Sequence, residues 1–137
     1  MYPAEIVTPM KAEVTNNGFK ELLTAEDADN ALKQSGTALL FINSVCGCSA
    51  GTARPGVVMA VKNAAKVPDQ LLTSFAGFDV DAVKQARNYL LPYPPSSPAI
   101  ALLKDGQVVH MIERHMIEGR PAQMIASNLM QAFETHC

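Results

Sequence analysis

Short, almost continuous apolar runs mark the strands that this sequence predicts. Thr37 to Asn43 reads Thr-Ala-Leu-Leu-Phe-Ile-Asn, which is too short for a stable helix and is typical of a central strand buried on both faces. Leu71 to Phe78 has the same character and predicts a second strand. Pro98 to Lys104 and Gln107 to Glu113 flank Asp105-Gly106, a dipeptide that favours a tight hairpin turn. We therefore expect the sheet to end in two antiparallel strands.

Two helices are predicted before the first strand. Thr8 precedes Pro9, a pair that is typical of an N-cap followed by proline at the first helical position. Thr24 has Asp27 three residues further on, which predicts a capping box at the start of the second helix. The apolar face of this second helix consists of Ala28, Ala31 and Leu32. Residues 1–35 are therefore expected to form a helical extension packed on the core.

Three further helices alternate with the strands. One is apolar and runs from Val57 to Val67, one starts after Asp79, and one opens at Gly119-Arg120-Pro121. The core then has the order strand, helix, strand, helix, strand, strand, helix. That order is typical of a thioredoxin-like α/β fold, a three-layer sandwich in which helices flank a central mixed sheet of about four strands. We expect residues 1–137 to form this one domain, because no internal repeat or interdomain linker interrupts them.

Composition and charge restrict the class of partner. The 137 residues are 48% hydrophobic and 18% charged, which is typical of a folded globular chain. The 11 Lys and Arg are scattered among 13 Asp and Glu, so there is no basic stripe that would bind nucleic acid or anionic lipid. The apolar runs are too short to span a bilayer, and the chain begins without the basic start and apolar middle of a signal peptide. We therefore expect a cytoplasmic protein that binds neither nucleic acid nor membrane.

The chemistry is expected at Cys46-Gly47-Cys48. Three cysteines, two of them one residue apart, do not make the disulfide framework of a small secreted protein, and in a reducing compartment such a pair suggests redox or metal chemistry. The pair directly follows the predicted central strand, and ligands of open α/β sheets bind at the carboxyl ends of strands. A helix starting at the pair would stabilise a thiolate through its unpaired N–H groups and partial positive charge. We therefore expect the pKa of Cys46 to be lowered.

The spacing of the pair also restricts the disulfide that it can form. A disulfide needs Cα atoms about 4.4–6.8 Å apart, and an extended pair two residues apart lies near or beyond that limit. A Cys46–Cys48 bond is therefore expected to be strained and easily reduced, which suits a protein that oxidises or reshuffles its partners better than a strong reductant. The small residues Ser49, Ala50 and Gly51 make a poor first helical turn, as is common at functional sites.

Four stretches of the chain carry a family resemblance: Met1–Val7, Asn43–Cys48, Ala53–Gly56 and Ser97-Pro98. In these stretches the sequence resembles the bacilliredoxin family, thioredoxin-fold proteins with a Cys-Gly-Cys motif. The resemblance implies a thiol–disulfide oxidoreductase that removes bacillithiol from mixed disulfides on proteins and has disulfide isomerase activity. It also implies that Cys46 attacks and Cys48 resolves. Bacillithiol or a similar low-molecular-weight thiol is then the cosubstrate, no other cofactor is implied, and the partners are proteins carrying mixed disulfides.

Four residues are predicted to bind substrate: Gly47, Arg54, Ser97 and Pro98. Gly47 leaves bare backbone between the thiols. Ser97-Pro98 follows a proline-rich loop, where thioredoxin-like folds place a cis-proline facing the cysteines, so we expect a cis bond and an extended backbone that holds a peptide by strand-like hydrogen bonds. Arg54 lies about two turns after Cys46 and is a candidate to pair with the carboxylates of a small thiol, although an ordinary solvated helix position explains it equally well.

Two other functions are compatible with the sequence. Cys46 and Cys48 could join His110 and His115 in a metal-binding or metal-delivery module, although the two-residue spacer usual for zinc is absent. The chain could instead be a thioredoxin-fold adaptor with idle cysteines, which predicts an ordinary pKa for Cys46. Cys137 ends the chain, where termini usually fray, and is expected to be a bystander.

Overall fold

Five strands form one mixed sheet, and six α-helices surround it. The structure is a computed structural model that describes residues 1–137. The helices are α1 (Ala4–Thr15), α2 (Ala25–Leu32), α3 (Arg54–Asn63), α4 (Val80–Asn88), α5 (Arg114–Ile117) and α6 (Ala122–His136). The strands are β1 (Lys20–Glu21), β2 (Thr37–Asn43), β3 (Gln70–Phe75), β4 (Ala99–Lys104) and β5 (Gln107–Ile112). A π-helical turn, Ser49–Ala53, leads directly into α3.

β2 lies in the middle of the sheet, whose strand order is β1-β3-β2-β4-β5. β3 pairs in parallel with both β1 and β2, whereas β4 runs antiparallel to β2 and β5 runs antiparallel to β4. Every residue of β2 is buried, which confirms the predicted central strand over Thr37–Asn43. The carboxyl ends of β2 and β3 therefore lie at the same edge of the sheet as the start of β4.

Side chains of β2 alternate between two apolar cores, one on each face of the sheet. Leu39 and Phe41 enter the core that α3 and α6 cover. Leu40 and Ile42 enter the core that α2 and α4 cover. Because both faces of the sheet are buried under helices, the predicted three-layer sandwich is confirmed.

α3 and α6 approach closely because α3 carries a glycine at their contact. A Cβ atom on Gly56 would lie 2.9 Å from the Cβ atom of Ile125, closer than packed side chains allow. Glycine therefore lets the two helices meet. Since α3 continues from the π-helical turn, this contact holds the segment that follows the cysteine pair.

The N-terminal part differs from the predicted helical extension, because residues 1–35 also supply a strand. β1 pairs with β3, so the sheet has five strands rather than about four. Two residues are too few to produce an alternating pattern, which explains why the sequence did not reveal this strand. The predicted capping box of α2 is confirmed: Thr24 Oγ1 accepts the N–H of Asp27, and the Asp27 carboxylate accepts the N–H of Thr24.

The predicted start of the first helix is wrong. α1 begins at Ala4 with Pro3 in the cap position, and Pro9 lies inside the helix. Pro9 has no N–H to donate to the carbonyl four residues earlier, whereas Thr8 Oγ1 donates to the carbonyl of Ala4 at 2.7 Å. The buried face of α1, rather than its local sequence, therefore holds this helix on the core.

The remaining boundaries move by a few residues. The helix predicted over Val57–Val67 is α3, which begins and ends earlier, and the strand predicted over Leu71–Phe78 is β3. The hairpin is confirmed, with positive φ angles at both Asp105 and Gly106. The short helix α5 was not predicted. No helix is both long and apolar enough to cross a bilayer.

Candidate active site

Cys46 and Cys48 lie at the start of the helical segment that follows β2. Helical backbone begins at Gly47, and the Cys46 carbonyl accepts the N–H groups of Ser49 at 2.9 Å and Ala50 at 3.2 Å. Cys46 therefore occupies the cap position of this segment, at the carboxyl end of the central strand. Both thiols are free and partly exposed. The predicted placement of the pair at a helix start is confirmed.

The sulfur of Cys46 is surrounded by groups that stabilise its thiolate. The Cys48 thiol donates to it, the backbone N–H of Cys48 donates to Sγ at 3.4 Å, and the N–H of Ser49 and the charge of Arg114 add to these effects. Together they lower the pKa of Cys46, while partial burial of the sulfur opposes them. The predicted lowering of the pKa is confirmed, although the helix amides share the effect with a thiol and a cation.

The surroundings of Cys48 shift its pKa in the opposite direction from that of Cys46. Burial raises the pKa of Cys48 to about 11, with further contributions from its hydrogen bond to Cys46 and from the negative charge of that neighbour. The pair therefore consists of one sulfur whose thiolate form is stabilised and one that stays a thiol at neutral pH. Such a pair has a nucleophile and a proton-bearing partner in one loop.

Asn43, the last residue of β2, organises the loop beneath the cysteines. Its Oδ1 accepts three hydrogen bonds: from the Ser44 N–H at 2.8 Å, from Ser49 Oγ at 3.0 Å and from Arg54 Nη1 at 3.2 Å. Ser44 Oγ in turn accepts the N–H of Cys46 at 3.2 Å. This buried network ties the loop to both the strand and α3. Nothing in the spacing of polar residues indicated Asn43 as its centre.

Arg54 is part of this network, which corrects its predicted role. The residue is only 2% exposed, and its Nη1 also donates to the Ser44 carbonyl at 3.0 Å. Its Nε lies 3.2 Å from Glu13 Oε2 in an ion pair that is not aligned as a hydrogen bond. Burial lowers the pKa of Arg54, and Glu13 opposes that shift. Because its guanidinium is enclosed, Arg54 is neither a solvated side chain nor placed to meet a ligand carboxylate.

Ser97 and Pro98 lie where β4 begins, beside the cysteine loop. The Ser97–Pro98 peptide bond is cis, as expected. Ser97 lines a pocket together with Cys46, and Pro98 is buried. Gly47 is exposed, and a Cβ atom there would meet no other atom within 4 Å, so open space rather than crowding surrounds it.

A pocket of about 410 Å³ opens beside Cys46. It is lined by Tyr2, Ser44, Val45, Cys46, Ala76, Gly77, Ser97 and Arg114. These residues come from the chain start, the ends of β2 and β3, the start of β4 and the segment after β5. Cys46 therefore borders a space of the size that small ligands occupy.

Comparison with known proteins identifies the family. The sequence model of the Disulphide isomerase family matches residues 2–137. A bacilliredoxin of Cytophaga hutchinsonii is 56% identical over 134 residues, which cover 98% of each chain. A bacilliredoxin of Salinibacter ruber is 49% identical, over 99% of this chain and 81% of the relative. The chain belongs to the bacilliredoxin family.

Solved structures confirm the fold that this family membership implies. A mutant thioredoxin from Halobacterium salinarum superposes with a TM-score of 0.59 over 88% of this chain and 91% of the thioredoxin, at 13% identity. Mitochondrial thioredoxin 3 from Saccharomyces cerevisiae superposes with a TM-score of 0.56 over 90% of this chain and 98% of the thioredoxin, at 14% identity. The fold is thioredoxin-like, and as a bacilliredoxin family member the protein is a thiol–disulfide oxidoreductase.

Arg114 is a charged residue of this bacilliredoxin site that sequence reasoning missed. It lines the pocket, and its charge lowers the pKa of Cys46. The hairpin register contained the signal: β5 pairs Ile112 with Ile100, so the residues just after β5 lie beside the residues just before β4. Tyr2 also lines the pocket, through a long-range contact with Gly77 that no local sequence pattern indicated.

The metal-binding alternative lacks a ligand set in this bacilliredoxin family member. No group of three or more His, Cys, Asp or Glu side chains is arranged to hold a metal ion. His110 instead hydrogen-bonds Asn128 Oδ1 at 2.6 Å on α6, and His115 is exposed. The two thiols would therefore need metal ligands from outside this chain.

Proposed function

We propose that this protein removes bacillithiol, or a similar low-molecular-weight thiol, from mixed disulfides on client proteins in the cytoplasm. Cys46 attacks and Cys48 resolves. The observation that carries this proposal is that the two neighbouring thiols differ in acidity: the pKa of Cys46 is lowered, and that of Cys48 is raised to about 11. Membership of the bacilliredoxin family supports the choice of substrate.

The first step is a thiol–disulfide exchange without net oxidation. The Cys46 thiolate forms a bond with the sulfur of the low-molecular-weight thiol, and the bond from that sulfur to the client cysteine breaks. The client leaves as a thiolate that takes up a proton from water. Cys46 then carries the small thiol, and the client is restored.

The second step uses Cys48, whose pKa changes when the first step is complete. Part of the raised Cys48 pKa comes from the hydrogen bond to Cys46 and from its negative charge, and both disappear once Cys46 is in a disulfide. Cys48 then ionises more easily and attacks Cys46 Sγ, which releases the small thiol and forms the Cys46–Cys48 disulfide. Two thiols of the cell, which become joined in a disulfide of their own, return this bond to two thiols by two successive exchanges. An external thiol that attacks the small-thiol sulfur of the adduct would instead regenerate Cys46 directly.

Gly47, Ser97 and Pro98 are proposed to bind the client segment that flanks the mixed disulfide. The open space around Gly47 lets a client backbone approach the two sulfurs. Ser97 and Pro98 lead into β4, and the backbone before a strand can hold an extended peptide by strand-like hydrogen bonds. Client contacts through backbone groups would suit a protein that accepts many sequences.

The test is transfer of bacillithiol from a bacillithiolated client protein, followed by intact-mass spectrometry of both proteins. We expect wild type to restore the client, Cys46→Ala to abolish transfer, and Cys48→Ala to accumulate the bacillithiol adduct on Cys46. Cys137→Ala is the matched control because it removes a thiol outside the pair, and it should behave as wild type. Full transfer by Cys46→Ala would overturn the proposal.

A further inference from the structure

Arg114 lines the pocket beside Cys46, and not all of its hydrogen-bond donors have a partner. Arg114 Nε donates to Glu118 Oε1 at 2.6 Å, and Nη1 donates to the Ser97 carbonyl at 3.3 Å. A guanidinium has five N–H donors, so three remain available. The two contacts hold the side chain beside the pocket while leaving one edge of its fork free.

An aromatic ring forms another wall of this pocket. A Cβ atom on Gly77 would lie 2.7 Å from Cε2 of Tyr2, so the ring lies directly on the glycine backbone. Gly77 has a φ of +79°, a left-handed conformation that glycine adopts readily. Tyr2 therefore packs on the backbone just after β3, and its ring lines the same pocket as Arg114.

The charged groups at the pocket point to the ligand that it accepts. Three groups act on Cys46: the Cys48 thiol, the Arg114 cation and the backbone N–H groups. Glu118 pairs with Arg114 and also acts on Cys48. Once Cys46 is in a disulfide its negative charge is gone, and Arg114 loses one of its anionic neighbours. A ligand carboxylate in the pocket would replace that charge.

We propose that Arg114 recognises the low-molecular-weight half of the mixed disulfide by donating hydrogen bonds from its free edge to a carboxylate of that half. The inference rests on the proposed function, because the small thiol becomes bonded to Cys46 and must lie within reach of the pocket that Cys46 lines. A volume of about 410 Å³ suits a small molecule. Arg114 is thus a specificity-determining residue that selects acidic small thiols over neutral and basic ones.

The test compares three mixed disulfides that share one cysteine-containing peptide. The small halves are 3-mercaptopropionate, 2-mercaptoethanol and cysteamine, which are anionic, neutral and cationic. The Cys48→Ala background stops the reaction at the Cys46 adduct, and each rate is divided by that of the same probe with N-acetylcysteine amide to remove intrinsic reactivity. We expect the anionic half to be transferred about three- to tenfold faster than the neutral half, as for an exposed guanidinium–carboxylate pair.

Variants of Arg114 separate recognition from structure. Arg114→Gln should abolish the preference for the anionic half while still transferring the neutral half, and Arg114→Lys should retain the order of the three probes at a reduced ratio. Arg120→Gln removes an equal charge from an exposed arginine that is outside the pocket, so it should leave the preference unchanged. High salt should compress the ratio of rates in the parent protein.

Each result decides between the two proposals. Equal corrected rates for the three probes, or an anionic preference that survives Arg114→Gln, would overturn recognition by Arg114 while leaving exchange at Cys46 intact. Absence of transfer from every probe would overturn the proposed function and this inference together.

Discussion

Two arginines lie beside the cysteine loop, and one is buried whereas the other is exposed. Arg54 is 2% exposed and donates to two acceptors of the loop, while Glu13 balances its charge. The Arg114 side chain is 47% exposed and borders the pocket that Cys46 lines. Of these two arginines, one is therefore enclosed in the protein and the other lies at the surface beside Cys46.

The two arginines affect Cys46 in different ways: Arg54 fixes the backbone of its loop, and Arg114 acts on its sulfur by charge. A buried guanidinium with fixed acceptors holds the backbone of the loop, since moving it would remove a donor from the Ser44 carbonyl and another from Asn43 Oδ1 in a dry environment. An exposed guanidinium is screened by water and holds little structure, but it acts on any anion in the pocket. We infer that Arg54 mainly supports folding and Arg114 mainly supports reactivity.

The largest expected effect is on stability. Arg54→Met removes the donors to Asn43 and Ser44 and leaves Glu13 without its partner, which should cost about 2–4 kcal/mol of unfolding free energy. Urea denaturation followed by far-UV circular dichroism measures this loss. Arg114→Met is the matched control and should leave the unfolding midpoint close to that of wild type. Equal destabilisation by the two substitutions would remove the distinction between them.

The sequence predicted the layers of this fold because their patterns are local. The apolar run of Thr37–Asn43 and the Asp105-Gly106 turn each contain enough information to define an element, and both are found where expected. β1 is held by its pairing with β3 rather than by its own sequence, and α1 persists with Pro9 inside it because one face is buried. Such elements depend on tertiary contacts, so local patterns missed or misplaced them.

The residues of the site also differ in whether local sequence or tertiary contacts determine their positions. Cys46 could be placed from sequence because it directly follows a buried strand. Arg54 could not, because distance along a helix does not say whether a side chain faces solvent or the acceptors at the end of β2. Arg114 is 68 residues from Cys46 along the chain, and only the hairpin register relates it to the start of β4. Distance along the chain therefore did not indicate which arginine borders the pocket.

A smaller change should loosen the aromatic wall that Tyr2 contributes to the pocket. Gly77→Ala forces a left-handed φ on a residue with a side chain, at a cost of about 1–2 kcal/mol, and displaces the Tyr2 ring. Denaturation should report the loss, and the corrected rate with the 3-mercaptopropionate probe should fall. Gly51→Ala is the control, since a Cβ atom there meets open space. Stability unaffected by Gly77→Ala would contradict this account of the pocket wall.

A change at Arg114 should alter ionisation more than folding. Removing the cation in Arg114→Met destabilises the Cys46 thiolate, so its pKa rises and the thiolate fraction at neutral pH falls. Alkylation by iodoacetamide, a neutral reagent, should slow about two- to fivefold at pH 7, and the midpoint of its pH profile should move to higher pH. Arg120→Met should leave both quantities unchanged. Cys48, with a pKa of about 11 while Cys46 is unmodified, should react at pH 7 only after Cys46 has been alkylated. An unchanged midpoint in Arg114→Met would show that its charge does not reach the sulfur.

The smallest expected effect comes from the partner of that cation and has the opposite sign. Glu118 lies 2.6 Å from Arg114 Nε and partly neutralises it, and its charge also raises the pKa of Cys48. Glu118→Gln should therefore strengthen the field of Arg114, lower the pKa of Cys46 and speed alkylation at pH 7 by about twofold. The double variant Glu118→Gln with Arg114→Met should lose this gain, because the freed cation is absent. If Glu118→Gln speeds alkylation equally in both backgrounds, Glu118 acts on the thiol directly, and Arg114 is not the group through which its effect passes.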